Sequence, residues 1–90
     1  MISVTLTGAH TYAVEIESHP EVTHTVTMSR EDYLALSGGR CTQEWVLVQA
    51  FHFLLEREPA SAILQRFDIR DIARYFPEFD AEMQGRLADR

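Results

Sequence analysis

Few side chains in this sequence combine the chemistry and the spacing of a site, and His52 is the first of them. Gln49 lies three residues before it and Glu56 four residues after it, so all three share one side of a helix. An imidazole oriented by a carboxylate is the arrangement of a general base in acid–base chemistry, provided a pocket opens beside it. The plainer reading is a narrow polar strip through which an otherwise apolar helix reaches solvent, and that reading is preferred. Arg66, Arg70 and Arg74 follow an i, i+4, i+8 series and form the strongest positive feature of the chain. Displayed together they would make an interaction surface for an acidic protein or a phosphate, and a nucleic-acid-binding regulator is a reading to weigh. Asp68 and Asp71 dilute that field, and pairing of the arginines with nearby carboxylates is the ordinary outcome.

The remaining candidates are weaker. His19, Glu21 and His24 carry the atoms of a zinc or nickel site. The first two fall in a turn while His24 points to the apolar face of a strand, so convergence on one ion would need a distorted hairpin end. No metal is expected there. Cys41 precedes a helix, where a thiolate is favoured, but no second cysteine exists to resolve an oxidised form. Ser37-Gly38-Gly39-Arg40 lacks the Gly-Lys-Ser or Gly-Lys-Thr ending that grips nucleotide phosphates, and reads as a helix stop. The sequence thus assigns no catalytic residue, no metal ligand and no cofactor.

Composition narrows the setting. The 90 residues include 8 arginines, no lysine and 14 acidic residues, for a net charge of −6. Attraction to phosphate scales with the cations offered, so general nucleic-acid binding is not expected. One cysteine excludes an intramolecular disulfide and fits a reducing compartment. The first residues lack a cationic start and a long apolar run, and no apolar stretch approaches the roughly 18 residues that span a bilayer. A cytoplasmic protein with no membrane contact is the expectation.

The elements that would position these side chains change character at residue 29. Over residues 1–28 the period is two. Ile2, Val4 and Leu6 alternate with Ser3, Thr5 and Thr7, and Gly8 permits a bend. Tyr12, Val14 and Ile16 alternate with Ala13, Glu15 and Glu17. Val22, His24, Val26 and Met28 alternate with Thr23, Thr25 and Thr27. A three-residue loop at His19-Pro20-Glu21 would set Ile16 opposite His24, Val14 opposite Val26 and Tyr12 opposite Met28. A five-residue loop preserves the same faces, whereas a four-residue loop puts threonine against the core. The three-residue loop is the preferred register.

From residue 29 onward the signals are helical. Ser29 with Asp32 resembles a capping box, and Gly38-Gly39 ends that short helix. Thr42 caps a helix over about 43–57, in which nine of the eleven residues from Trp45 to Leu55 are apolar. A helix apolar nearly all round must be surrounded, by its own fold or by a second subunit. Trp45 and Phe51 project about 120° apart and Phe53 about 160° beyond Phe51. One of the three is therefore expected under the sheet, another under the C-terminal helices, and the third at the periphery or an interface. One or two turns over Ser61–Gln65, a segment capped by Asp68 with Ile69, Ile72, Ala73 and Phe76 on one face, and a helix over about 78–88 with Phe79, Met83 and Leu87 inward complete the chain.

Residues 1–90 thus read as one α+β domain, β-rich over 1–28 and helical over 29–90. An N-terminal antiparallel β-hairpin or small three-stranded sheet packs against four or five C-terminal α-helices.

The segments His24-Thr25-Val26-Thr27, Phe53-Leu54-Leu55-Glu56-Arg57-Glu58-Pro59, Ser61 with Ile63-Leu64, and Phe67 with Ile72 and Tyr75-Phe76-Pro77 carry a resemblance. Over most of its length the chain is similar to small conserved bacterial proteins of about ninety residues and unknown function. That resemblance implies no reaction, cofactor or catalytic residue. A non-catalytic structural or protein-interaction domain is the leading expectation, with a homodimer or another protein as its partner.

Overall fold

The computed structural model of this chain describes residues 1–17 and 21–88. Four strands form one sheet in the order β1-β2-β3-β4. They are β1 (Ile2–Gly8), β2 (Thr11–Ile16), β3 (Val22–Thr27) and β4 (Arg66–Asp68). The first three form an antiparallel meander, and β4 lies parallel to β3, with Val26 opposite Phe67. A parallel neighbour requires a crossover connection, and here the crossover contains the helices α1 (Arg30–Ser37) and α2 (Gln43–Leu55). A short 3₁₀ turn at Ala60–Ala62 precedes β4, and beyond β4 come a second at Ile69–Asp71, the single-turn α3 (Ile72–Tyr75) and then α4 (Phe79–Ala88). The α+β layering read from the sequence is the observed one.

Three details differ from the reading of the sequence. The β2–β3 register pairs Ile16 with Val22, Val14 with His24 and Tyr12 with Val26. Five residues therefore join the strands, not three. Parity alone cannot separate loops that differ by two residues. In the observed register Met28 lies past the strand, where its N–H bonds to the His10 carbonyl at 2.9 Å. The second difference is β4. Residues 29–90 are not wholly helical, because Arg66-Phe67-Asp68 joins the sheet, and three residues are too few for a period to show. Third, α2 stops at Leu55. The Arg57 N–H turns back to the Leu54 carbonyl in a tighter turn before Pro59.

The helix ends follow from their caps. Ser29 Oγ accepts from the Asp32 N–H at 3.0 Å, and Thr42 Oγ1 accepts from the Trp45 N–H at 3.1 Å. Gly38, at φ 66°, closes α1 in the left-handed region that a side chain would strain. Asp68 opens the next segment through a capping box with Asp71.

The apolar faces of α2 are enclosed by its own chain. Val46, Leu47, Ala50, Phe51 and Phe53 are fully buried. Phe51 meets the sheet through His24 and Phe67, at ring-centroid distances of 5.4 and 6.0 Å. Phe53 meets Phe76 and Phe79 of the C-terminal segment, at 5.8 and 5.1 Å. Trp45 packs half-buried at the edge of the core. The three directions counted around the helix therefore lead to the sheet, the C-terminal helices and the periphery. Ile69 and Ile72 are buried, Ala73 and Phe76 are half-buried against the same core, and Phe79, Met83 and Leu87 face inward along α4. No described helix is long and apolar enough to cross a membrane.

Candidate functional site

The residues singled out for chemistry are not brought together. His52 is exposed on α2, and Glu56 turns away to Arg86, whose Nη1 and Nη2 reach its carboxylate at 2.9 and 2.5 Å. That pairing, aided by the charges of Arg86 and Arg57, holds the Glu56 carboxyl below its ordinary pKa despite partial desolvation. Neither His52 nor Glu56 belongs to the cleft described below. With Gln49 half-buried beside them, they form the polar strip by which α2 meets solvent. The acid–base pairing of His52 with Glu56 is not made.

The arginine series is likewise divided. Arg66 is an exposed residue of β4, Arg70 belongs to the 3₁₀ turn, and Arg74 to α3, so no single helix carries the row. Arg70 is engaged by Asp80 in a bidentate pair, both distances 3.0 Å, which raises its pKa. Arg74 stays largely exposed, 3.8 Å from Asp71. A surface built from all three would have to break the Asp80 pair.

His24 is a buried core residue. Its Nδ1 donates to the Leu64 carbonyl at 2.7 Å, and its ring packs on Phe51. His19, its suggested companion, lies outside the described residues. Among the described residues no group of three or more His, Cys, Asp or Glu side chains is placed to hold a metal ion. Cys41 is half-buried, and its carbonyl accepts the Tyr33 hydroxyl. Burial pushes the Tyr12 phenol above its ordinary pKa, and the charge of Glu44 adds to that shift. Gly38 and Gly39 both have positive φ and close the end of α1, as a helix stop requires.

The feature with the shape of a site lies elsewhere. A cleft of about 370 Å³ opens between the end of α2, the Ile63-Leu64 segment, β4 and α3. Leu54, Ile63, Phe67 and Ile72 supply its apolar lining, all buried members of the core. Leu64 and Tyr75 stand at its rim, 54% and 68% exposed, among the most exposed large apolar side chains of the molecule. Glu58 and Asp71 are the charged residues of the lining. A volume in this range accommodates a small ligand or one or two side chains of a partner.

Local structure explains why the cleft stays open. Pro59 prevents α2 from continuing over it, since proline disfavours helical geometry in the residue before it. The buried Ile63 forces its neighbour Leu64 outward while the Leu64 carbonyl is held by His24. Helix α3 is only four residues long and ends before Pro77, so nothing of it extends across Tyr75. Asp71 is partly committed, since its Oδ2 accepts from the Asp68 N–H at 3.0 Å.

Sequence reasoning did not find this cleft. The usable signal was two adjacent apolar pairs, Ile63-Leu64 and Tyr75-Phe76, on elements too short to bury both members. No protein-family model, curated protein or solved structure matches the chain.

Proposed function

We propose that this chain is a non-catalytic protein-interaction domain that takes an apolar side chain of a partner into the cleft beneath Leu64 and Tyr75. The observation that carries the reading is the pairing of a buried apolar lining with two large exposed apolar residues at the rim. Glu58 adds negative charge at the same place, Asp71 being shared with Arg74, and this favours a partner carrying lysine or arginine beside its apolar anchor. A bacterial, cytoplasmic setting and a homodimeric assembly belong to the same proposal. Small-enzyme chemistry through His52 and Glu56 loses support because Glu56 pairs with Arg86 and His52 faces open solvent. A nucleic-acid regulator loses support because Arg70 is occupied by Asp80.

Selection of peptides from a random displayed library against the protein tests this reading. Enriched peptides should share an apolar residue flanked by lysine or arginine, and their binding should fall at least tenfold for Leu64→Glu and Tyr75→Glu. Enrichment without an apolar anchor, or binding that both variants leave unchanged, would count against it.

A further inference from the structure

We infer that the open edge of β1 is the surface through which this chain pairs with a second copy of itself. The inference rests on the homodimeric reading and gives it a location.

Among the described residues strand β1 ends the sheet, with β2 as its one neighbour. The Glu17 N–H donates to the Met1 carbonyl at 3.0 Å, which identifies Met1 and Glu17 as a hydrogen-bonded pair of the antiparallel ladder. Bonded and non-bonded pairs alternate along such a ladder. Ser3 and Thr5 therefore bond inward to Glu15 and Ala13, which stand opposite them. The N–H and C=O groups of Ile2, Val4 and Leu6 point outward, away from β2.

The strand carries none of the devices that ordinarily block such an edge. It has no lysine, no proline and no charged side chain from Ile2 to Gly8, and its one irregularity lies past Leu6. Its apolar residues share the core face with Ile16, Val14 and Tyr12, which stand opposite them. That face is incompletely covered at the edge: Ile2 and Val4 are half-buried, and Leu6 is 56% exposed.

A foreign strand could add here, but the chemistry favours the same strand. Ile2-Ser3-Val4-Thr5-Leu6 is palindromic in character, apolar and hydroxyl residues alternating symmetrically about Val4. A two-fold axis through Val4 sets Ile2 against the partner's Leu6 and Val4 against the partner's Val4. Ser3 then faces the partner's Thr5. Every residue with outward-pointing backbone groups meets another such residue, and the apolar faces of both copies align. A register shifted by one residue fails on both counts. Charge agrees as well. The copies repel through a net charge of −6, yet the contacting strands are neutral. Within the paired sheet Glu15 lies three strand spacings from the partner's Ala13, so the two Glu15 side chains stand more than about 14 Å apart, beyond the Debye length of about 8 Å at physiological ionic strength.

Mixed disulfide trapping in a Cys41→Ser background tests the pairing, read beside light scattering over a dilution series. Ser3→Cys protein mixed with Thr5→Cys protein should form cross-linked dimers at least tenfold faster than either alone. Val4→Pro removes an outward N–H at the axis and leaves the bonds to β2 intact, so it should fold, shown by an unchanged circular dichroism spectrum, and be monomeric. A dimer that survives Val4→Pro and shows no preference for the mixed pair would overturn the β1 assignment while leaving dimerisation standing. A monomer at millimolar concentration would overturn both. A Val4→Pro chain that fails to fold leaves the mixed-pair preference to decide.

Discussion

The Nδ1 of His24 donates a hydrogen bond across 2.7 Å to the carbonyl of Leu64, joining β3 to the segment that leads into β4. One residue on, the Thr25 N–H bonds to the Gln65 carbonyl at 2.7 Å. The two bonds together seat the short parallel strand, and they fix the backbone at the rim of the cleft. His24→Phe keeps a ring against Phe51 but removes the donor, and should cost about 1–3 kcal/mol. Urea denaturation checks this, and stability equal to that of the parent would show that the bond is not needed to hold β4.

Phe53 is clasped between the C-terminal helices and Arg57, whose guanidinium lies 3.6 Å from the ring centroid. Phe53→Ala should cost about 3–5 kcal/mol, the range for truncating a fully buried aromatic residue. Arg57→Met keeps much of the packing and loses the cation–π contact together with the bonds to Glu78 and the Phe53 carbonyl, for about 1–2 kcal/mol. A double-mutant cycle between Phe53→Leu and Arg57→Met should give a measurable coupling energy; strict additivity would mean that the stacked guanidinium contributes no more than its packing.

Two surface carboxylates give the stability a defined response to acid. Glu56 is lowered chiefly by its hydrogen bond to Arg86, and Glu78 by a hydrogen bond to its own backbone and then by Arg57. A carboxylate lowered in the folded state contributes stability that is fully present above its unfolded pKa and is lost as pH falls through the folded value. The contribution of each pair should therefore fade as pH falls through and below the ordinary glutamate range. Glu56→Gln should flatten the pH dependence of the urea midpoint over that interval and leave the slope near neutrality unchanged. A parent and variant with parallel profiles would contradict the assignment.

Much of the fold was legible because its signals are local and redundant. The caps at Ser29 and Thr42, the glycine stop at Gly38, and the inward rows of Ile69–Phe76 and Phe79–Leu87 each depend on spacing over a few neighbouring residues. The five-residue β2–β3 connection was not selected because both loop lengths satisfy the same alternation. β4 was not legible because its position is set by pairing with β3, 41 residues away in sequence, through bonds such as that from Thr27 to Asp68 at 2.6 Å.

The site was less legible than the fold. His52, Glu56 and the arginines drew attention by type, yet type does not reveal a partner on a distant element. Asp80 takes Arg70 and Arg86 takes Glu56, and neither pairing follows from local spacing. The cleft is a tertiary feature, an opening left where four short segments meet. Its rim residues Leu64 and Tyr75 are apolar, and in sequence such residues read as core.

Nuclear magnetic resonance of the isotope-labelled protein, titrated with an apolar–basic peptide taken from the displayed library, tests the cleft most directly. Resonances of Leu54, Leu64, Ile72 and Tyr75 should shift together and saturate, with the His52 and Arg66 signals unmoved, and Tyr75→Glu should abolish the shifts. Saturable shifts centred on His52, or on the exposed Arg66 and Arg74, with the cleft resonances unchanged, would contradict the proposal that this cleft is where the protein meets its partner.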